Sequence, residues 1–220
     1  MDLEYFEEAA EWFRNHPSVV SNGVSLHSIC LGSWPGLLLA SYRNDLVKAV
    51  VAISPWNAPF WIPYVYKGKL SNVFRYEIEN VQETDEGIIY SNCVARAKEF
   101  ALPSAELAAL TPIELITCPV LLVYGTDDKI IDSEFTTNCI SERLKAEGKE
   151  SLCTILRHPN AGHLIEPPYT PLTHLAYMKI FKQCWVSGGK PNEHALAQEI
   201  TWRKILDFLG QNLRTCKSNL

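Results

Sequence analysis

The sequence predicts an α/β protein with a mostly parallel sheet and flanking helices. Near-continuous apolar runs at 47–54 and 120–124 are typical of strands buried on both faces of such a sheet, and a weaker run at 154–156 is a third case. A short β-rich run at 24–29 gives a fourth predicted strand. Helical patterns separate these runs, and that alternation favours parallel pairing.

Four segments carry the helical spacing of apolar residues. The first covers residues 2–15, with Asp2 as its N-cap, and ends before a histidine–proline pair. A second, apolar helix is predicted at 37–42. The third, at 133–147, is amphipathic and stops at a glycine, and the last runs from about 193 to 213.

Composition bounds the class of protein. The chain has 220 residues, of which 47% are hydrophobic and 20% charged, so it is globular and not disordered, collagen-like or coiled-coil. Its net charge of −5, without a basic run, argues against nucleic-acid binding. No apolar run reaches the ~18 residues of a membrane span. The first residues are acidic and lack the basic start of a signal peptide.

We expect a single domain over residues 1–220. Residues 55–112 break the strand–helix alternation, which predicts an insertion covering one end of the sheet. The seven cysteines are odd in number and show no C-x-x-C spacing, so we expect no metal site and a reducing compartment.

The first candidate for chemistry is Cys30, which follows the 24–29 strand and precedes a helix. Small residues, Ser28 and Gly32, stand two positions before and two after it, as the sharp turn of a nucleophile elbow requires. The helix N-terminus would stabilise its thiolate. The alternative is a buried structural cysteine before a glycine.

Two further candidates also follow predicted strands. Asp127 and Asp128 come directly after the 120–124 strand, where they could equally form a solvated turn or a helix N-cap. His163 lies on the loop after the 154–156 strand and could instead be structural. Among the other histidines, His174 and His194 fall in segments patterned like surface helices.

Together the three candidates occur in the order nucleophile, acid, histidine, at Cys30, Asp128 and His163. This is the chain order of α/β-hydrolases, so the sequence predicts that fold. The predicted insertion falls between nucleophile and acid, where a cap would cover the site.

Four segments extend this interpretation to nearly the whole chain. Residues 162–172 resemble the histidine loop of the acyl-CoA thioesterase and bile acid-CoA:amino acid N-acyltransferase family. Residues 2–9 and 188–202 are similar to the family's opening and closing motifs, and 59–68 resembles the acyltransferase branch more closely. The resemblance implies the catalytic triad Cys30, Asp128 and His163, with the N–H of Leu31 in the oxyanion hole.

The resemblance also implies the reaction. Amino acid-conjugating members carry cysteine as nucleophile and thioesterases carry serine, so Cys30 implies transfer of bile acyl or fatty acyl groups from coenzyme A to glycine or taurine. Hydrolysis of the acyl-CoA is the alternative, and a catalytically weak fragment that only binds other molecules is another. The sequence departs from both branches at Ser33-Trp34-Pro35. Coenzyme A enters as part of the substrate, and we expect no separate cofactor.

Two expectations concern the ends of the chain. Ser218-Asn219-Leu220 resembles a peroxisomal address, although its middle residue is off-consensus, so peroxisome and cytoplasm are the expected compartments. The family's first sheet strands precede the 2–15 helix, so we expect a truncated sheet here. The 24–29 strand would then be an open edge, favouring self-association and weak or absent turnover.

Overall fold

Four parallel strands form the central sheet of the computed structural model, which describes residues 1–19, 23–58, 62–74, 76–93 and 109–214. They lie across the sheet in chain order and are β1 (Val24–Ile29), β2 (Val47–Ile53), β7 (Val120–Gly125) and β8 (Cys153–His158). All four coincide with predicted strands. The predicted α/β fold with a parallel sheet is therefore confirmed.

The predicted helices also form, and they are α1 (Leu3–Asn15), α2 (Ser33–Tyr42), α3 (Ser133–Ala146) and α4 (Pro191–Arg214). Asp2 caps α1, because its side chain accepts a hydrogen bond from the N–H of Glu4 at 3.0 Å. Helix α2 begins four residues earlier than predicted. Pro35 is tolerated in its first turn, where backbone N–H groups have no partner within the helix.

The helices cover both faces of the sheet. On one face, Val50 and Leu122 pack with Leu37 of α2 and Ile140 of α3 in a buried cluster. On the other face, alternate residues of β2 and β7 pack against α4, in a cluster that includes Val51, Val123, Ala197 and Ile205. Strands β2 and β7 are apolar on both faces because each face is covered by helices.

Within the described ranges, six short strands lie outside the central sheet, and they leave no periodic pattern in the sequence. Two form a hairpin, β3 (Val65–Tyr66) with β4 (Lys69–Leu70). The others are β5 (Gln82–Glu83), β6 (Ile88–Ile89), β9 (Leu175–Met178) and β10 (Gln183–Val186). They form a second sheet in the order β5-β6-β10-β9. Part of the predicted 55–112 insertion, at 59–61, 75 and 94–108, lies outside the described residues.

Strand β1 is an edge of the central sheet, since it pairs only with β2 among the described strands. Beside it lies an apolar groove of about 1000 Å³, lined by side chains of α1, β1, α2 and the turn between β1 and α2. They include Phe6, Phe13, Leu26, Leu31, Trp34 and Leu39. Within the described ranges, no helix combines the length and apolarity needed to cross a bilayer.

Candidate active site

Cys30 occupies a strained turn between β1 and α2. Its φ of +58° lies in the left-handed region, which non-glycine residues rarely adopt, and the turn continues as a 3₁₀ segment over Cys30–Gly32. The hydroxyl of Ser33 donates to the Cys30 carbonyl at 2.6 Å and accepts the N–H of Trp56 at 2.8 Å. This strand–turn–helix geometry is that of a nucleophile elbow.

His163 and Asp128 form a buried pair beyond this turn. Nδ1 of His163 donates to Oδ2 of Asp128 at 2.8 Å, and both side chains are 2% exposed. The other carboxylate oxygen of Asp128 accepts the N–H groups of Ile130 and Ile131 at 2.9 and 3.1 Å. Because Nδ1 donates to Asp128, Nε2 is the ring nitrogen that can take up a further proton.

The structure separates the two neighbouring acids. The Asp127 carboxylate accepts the N–H of Gly189 at 2.8 Å and pairs with Lys129 at 2.8 Å, and among the described residues it makes no hydrogen bond or ion pair with His163. Asp128 is the one that holds the imidazole. Of the two acids, the structure therefore places Asp128 beside the imidazole.

Electrostatics couples Cys30 to the histidine. Burial by itself would raise the pKa of the Cys30 thiol, but the positive charge of His163 and the N–H of Leu31 lower it below its ordinary value. Burial opposes a charge on His163, whereas the charges of Asp128 and Cys30 raise the pKa of its imidazole. The site therefore favours a thiolate–imidazolium pair.

Nε2 of His163 is available for this coupling. The atom is buried and has no hydrogen-bonding partner among the nitrogen and oxygen atoms of the described residues. Cys30 is its electrostatic neighbour. The three side chains singled out in the sequence are thus brought together at one end of the sheet.

Glycines allow the loops of the site to touch backbone to backbone. A Cβ on Gly125 would lie 2.2 Å from the Ala161 carbonyl oxygen, and one on Gly162 would lie 2.3 Å from that of Gly188. The N–H of Asp127 donates to the Ala161 carbonyl at 2.9 Å. Close packing of these loops sets the distance between the acid and the histidine.

Two residues that the sequence did not single out hold the backbone of His163. The Ser54 hydroxyl donates to its carbonyl at 2.7 Å, and its N–H donates to the Ser187 carbonyl at 2.8 Å. Ser54 follows β2 with a φ of +48°. The only sequence signal is its place at the carboxyl end of a strand, which many residues share.

Three expectations about individual residues need correction. Gly32 is not required by sterics, because a Cβ there would meet no heavy atom within 4 Å. His194 is not a surface residue: it is 3% exposed and sits in the first turn of α4, against the His163 loop. His174 is exposed, as expected, but lies in a non-helical segment before β9.

Aromatic side chains from the 55–112 region pack near Cys30. Trp56, Phe74 and Tyr76 form a buried cluster with Trp34, and Cys30 packs against it. The site is therefore apolar on this side. Within the ranges that the structure describes, no group of three or more His, Cys, Asp or Glu side chains could hold a metal ion.

The fold and the site together define an α/β-hydrolase. Among solved structures, a Klebsiella pneumoniae protein described as a dienelactone hydrolase matches with a TM-score of 0.52, at 15% identity, over 95% of this chain and 60% of that one. The likeness concerns the fold. It confirms the predicted fold class.

The chain belongs to the family described as BAAT / Acyl-CoA thioester hydrolase C terminal, which matches residues 1–215. Human bile acid-CoA:amino acid N-acyltransferase is 37% identical over 96% of this chain. Rat acyl-coenzyme A thioesterase 1 is 34% identical over 97%, and mouse peroxisomal succinyl-coenzyme A thioesterase 31% over 99%. The chain spans about half of each of these relatives, 49%, 49% and 51%. The family resemblance is confirmed.

Proposed function

We propose that this chain forms the catalytic part of an acyl-CoA:amino acid N-acyltransferase, with Cys30 as nucleophile, His163 as base and Asp128 as its orienting acid. The observation that carries the proposal is the thiol with a lowered pKa at the strained elbow, coupled to a histidine whose other nitrogen is bound to Asp128. This arrangement activates a cysteine for acyl transfer.

In the first half-reaction, Nε2 of His163 takes the thiol proton and the Cys30 sulfur attacks the thioester carbonyl. The N–H of Leu31 stabilises the resulting oxyanion. The bond to the coenzyme A sulfur then breaks, and His163 returns the proton to that sulfur. The enzyme is left as an acyl-cysteine thioester.

In the second half-reaction, the amino group of glycine or taurine attacks this thioester. His163 accepts a proton from the nitrogen, the carbon–sulfur bond breaks and Cys30 leaves as a thiolate. Thioesters prefer amines over water as attacking groups more strongly than oxygen esters do. A cysteine nucleophile therefore favours an amide product, from bile acyl or fatty acyl donors.

Hydrolysis of the acyl-CoA in the same site is the second candidate. It is supported by the thioesterase relatives, whose identities of 31% and 34% are close to the 37% of the acyltransferase. In that reaction water replaces the amine in the second half-reaction. All other steps are the same.

Mass spectrometry of the protein after incubation with choloyl-CoA or palmitoyl-CoA, with and without taurine or glycine, tests the proposal. We expect one acyl group on Cys30 and an amide product when the amine is present. Cys30→Ala should abolish both. Cys153→Ala is the matched control, because Cys153 is also half-buried but its pKa is raised by burial.

The outcomes separate the candidates. If free acid is the only product, whatever amine is added, the acyltransferase proposal is wrong and the protein is a thioesterase. If the folded protein forms no acyl-enzyme with any acyl-CoA, both enzymatic candidates are wrong and the chain is a module without catalysis. Acylation that survives Cys30→Ala would show that the nucleophile lies elsewhere.

A peroxisomal location is also proposed, with the cytoplasm as the alternative. The name of the mouse succinyl-coenzyme A thioesterase supports it, as does the terminal Ser218-Asn219-Leu220, which lies outside the described residues. Imaging of the tagged protein with and without these three residues tests the location. A diffuse signal from the intact protein would contradict it.

A further inference from the structure

A second buried histidine bonds the backbone on both sides of His163, the proposed catalytic base. His194 projects from the first turn of α4 and is 3% exposed. Its Nδ1 accepts the N–H of Gly162 at 3.0 Å, and its Nε2 lies 2.9 Å from the Leu164 carbonyl oxygen. These two backbone groups flank His163 on either side along the chain, so a single ring bridges the residue before the base and the residue after it.

The two bonds define the state of the His194 ring. An amide N–H can only donate, so Nδ1 must be an unprotonated acceptor. A carbonyl can only accept, so Nε2 must carry the hydrogen. The ring is therefore neutral, with its proton on Nε2, and uses its full hydrogen-bonding capacity on the His163 loop.

The turn at Gly188 and Gly189 packs against the bond between His194 and Gly162. Gly189 has a φ of +94°, and a Cβ there would lie 2.7 Å from both His194 Nδ1 and the Gly162 nitrogen. The N–H of Gly189 is held by Asp127 at 2.8 Å. The acid loop, the glycine turn and α4 therefore meet at the bond between His194 and Gly162.

We propose that His194 is a positioning residue that sets the orientation of His163 toward Cys30. The proposal rests on the proposed function, in which His163 is the base. Asp128 holds the imidazole of His163 at Nδ1, and Ser54 and Ser187 bind its backbone. The bonds of His194 to the residues on either side fix the remaining part of this loop. Loss of the clamp should move Nε2 away from the sulfur and weaken the thiolate–imidazolium pair.

The test variant is His194→Phe, which keeps a ring but removes both bonds. We expect the alkylation rate of Cys30 by iodoacetamide at pH 7, mapped by peptide mass spectrometry, to fall on the order of 10–100-fold, as for a catalytic group displaced by about 1 Å. The pH midpoint of alkylation should rise. With acyl-CoA, kcat should fall while KM stays near its wild-type value.

His158→Phe is the matched control. His158 is also a buried histidine, and its Nε2 bonds the hydroxyl of Thr201, which lies on α4 as His194 does, at 2.8 Å. In the described structure its side chain makes no bond to residues 162–164. We expect this variant to lose thermal stability without a change in the alkylation midpoint. That contrast separates positioning from a merely structural role.

Two conservative variants keep the test decisive if His194→Phe does not fold. His194→Asn retains an acceptor for Gly162, and His194→Gln retains a donor for Leu164, so each should give an alkylation midpoint between those of wild type and His163→Ala. Wild-type midpoints in both variants, or equal shifts in His194→Phe and His158→Phe, would overturn the proposal.

Alkylation requires no acyl-CoA, so the two proposals fail separately. If wild-type protein forms no acyl-enzyme but the midpoint still shifts with His194, the acyltransferase proposal fails and the positioning of His163 by His194 stands. If acyl-enzyme forms normally in His194→Phe, the positioning role fails alone.

Discussion

At the scale of single residues, Cys30 combines a strained backbone with a thiol whose pKa is lowered. Its left-handed φ places the thiol at the end of β1, and His163 lowers its pKa in spite of burial. A strained backbone at a functional position is stabilised by its surroundings. Here the Ser33 hydroxyl holds the Cys30 carbonyl.

Cys30→Ser should convert the proposed transferase toward a hydrolase. The acyl-enzyme becomes an oxygen ester, which discriminates less between amine and water, so the ratio of amide to free acid should fall. Chromatography of the products with taurine present measures the ratio. An unchanged ratio would show that the nucleophile does not select the acceptor.

Asp128→Asn should reduce kcat by about 10⁴, because an amide in place of the carboxylate favours the wrong tautomer of His163. Asp127→Asn should cost much less, since Asp127 touches the glycine turn and not the imidazole. Steady-state kinetics of both variants checks this. Equal losses would mean that the choice between the two acids is wrong.

The pH dependence of Cys30 alkylation follows from its lowered pKa. The thiolate reacts, so the rate should be high above the pKa and fall as the pH drops through it, at a midpoint below the ordinary ~8.5 of a free thiol. In His163→Ala the burial remains and the positive charge is lost, so the midpoint should rise above that value. An identical pH profile in both proteins would contradict the ion pair.

At the scale of elements, the loops after β7, β8 and β10 pack backbone against backbone at glycine residues. Gly188→Ala should destabilise the fold strongly, because its φ is +74° and a Cβ would meet the Asp127 carbonyl oxygen at 1.8 Å. Gly148→Ala is the control, with a φ of +67° and no heavy atom within 4 Å.

We expect Gly148→Ala to cost ~1 kcal/mol of unfolding free energy for the left-handed backbone alone. Gly188→Ala should cost ~3 kcal/mol more, as overpacking does. Urea denaturation of both variants measures the difference. Similar costs would mean that the loops can separate without loss.

Buried elements were predictable from the sequence and short exposed ones were not. β2 and β7 are continuous apolar runs because helices cover both faces of the sheet, and that pattern is visible in the residues themselves. Strands β3 to β6 have two residues each, too few for any period. Strands β3 and β4, and β5 and β6, pair with near neighbours in the chain, but the second sheet is completed only where the distant β10 pairs with β6.

At the scale of the whole molecule, the edge of β1 that pairs with no other strand among the described residues lies beside an apolar groove and exposed aromatic side chains of α1. Phe13, which lines the groove, is 55% exposed. An unpaired strand next to apolar surface favours pairing with another chain.

We expect the protein to self-associate through this edge, with an apparent mass that rises with concentration in sedimentation analysis. Phe13→Glu should shift the equilibrium toward the monomer, because it places a charge in the groove. Tyr5→Glu is the control, since Tyr5 is on the same helix and 71% exposed but does not line the groove. A wild-type monomer at all concentrations would contradict the expectation.

Burial patterns and motifs are local in the chain, so the parallel α/β sheet, the order of Cys30, Asp128 and His163 and the family could be predicted from the residues alone. How the site is held follows only from the folded structure. The bonds from His194 to Gly162 and Leu164 and from Ser54 to His163 join residues 30 to 109 positions apart. Such contacts depend on how loops meet at the end of the sheet, and no spacing along the chain encodes that distance.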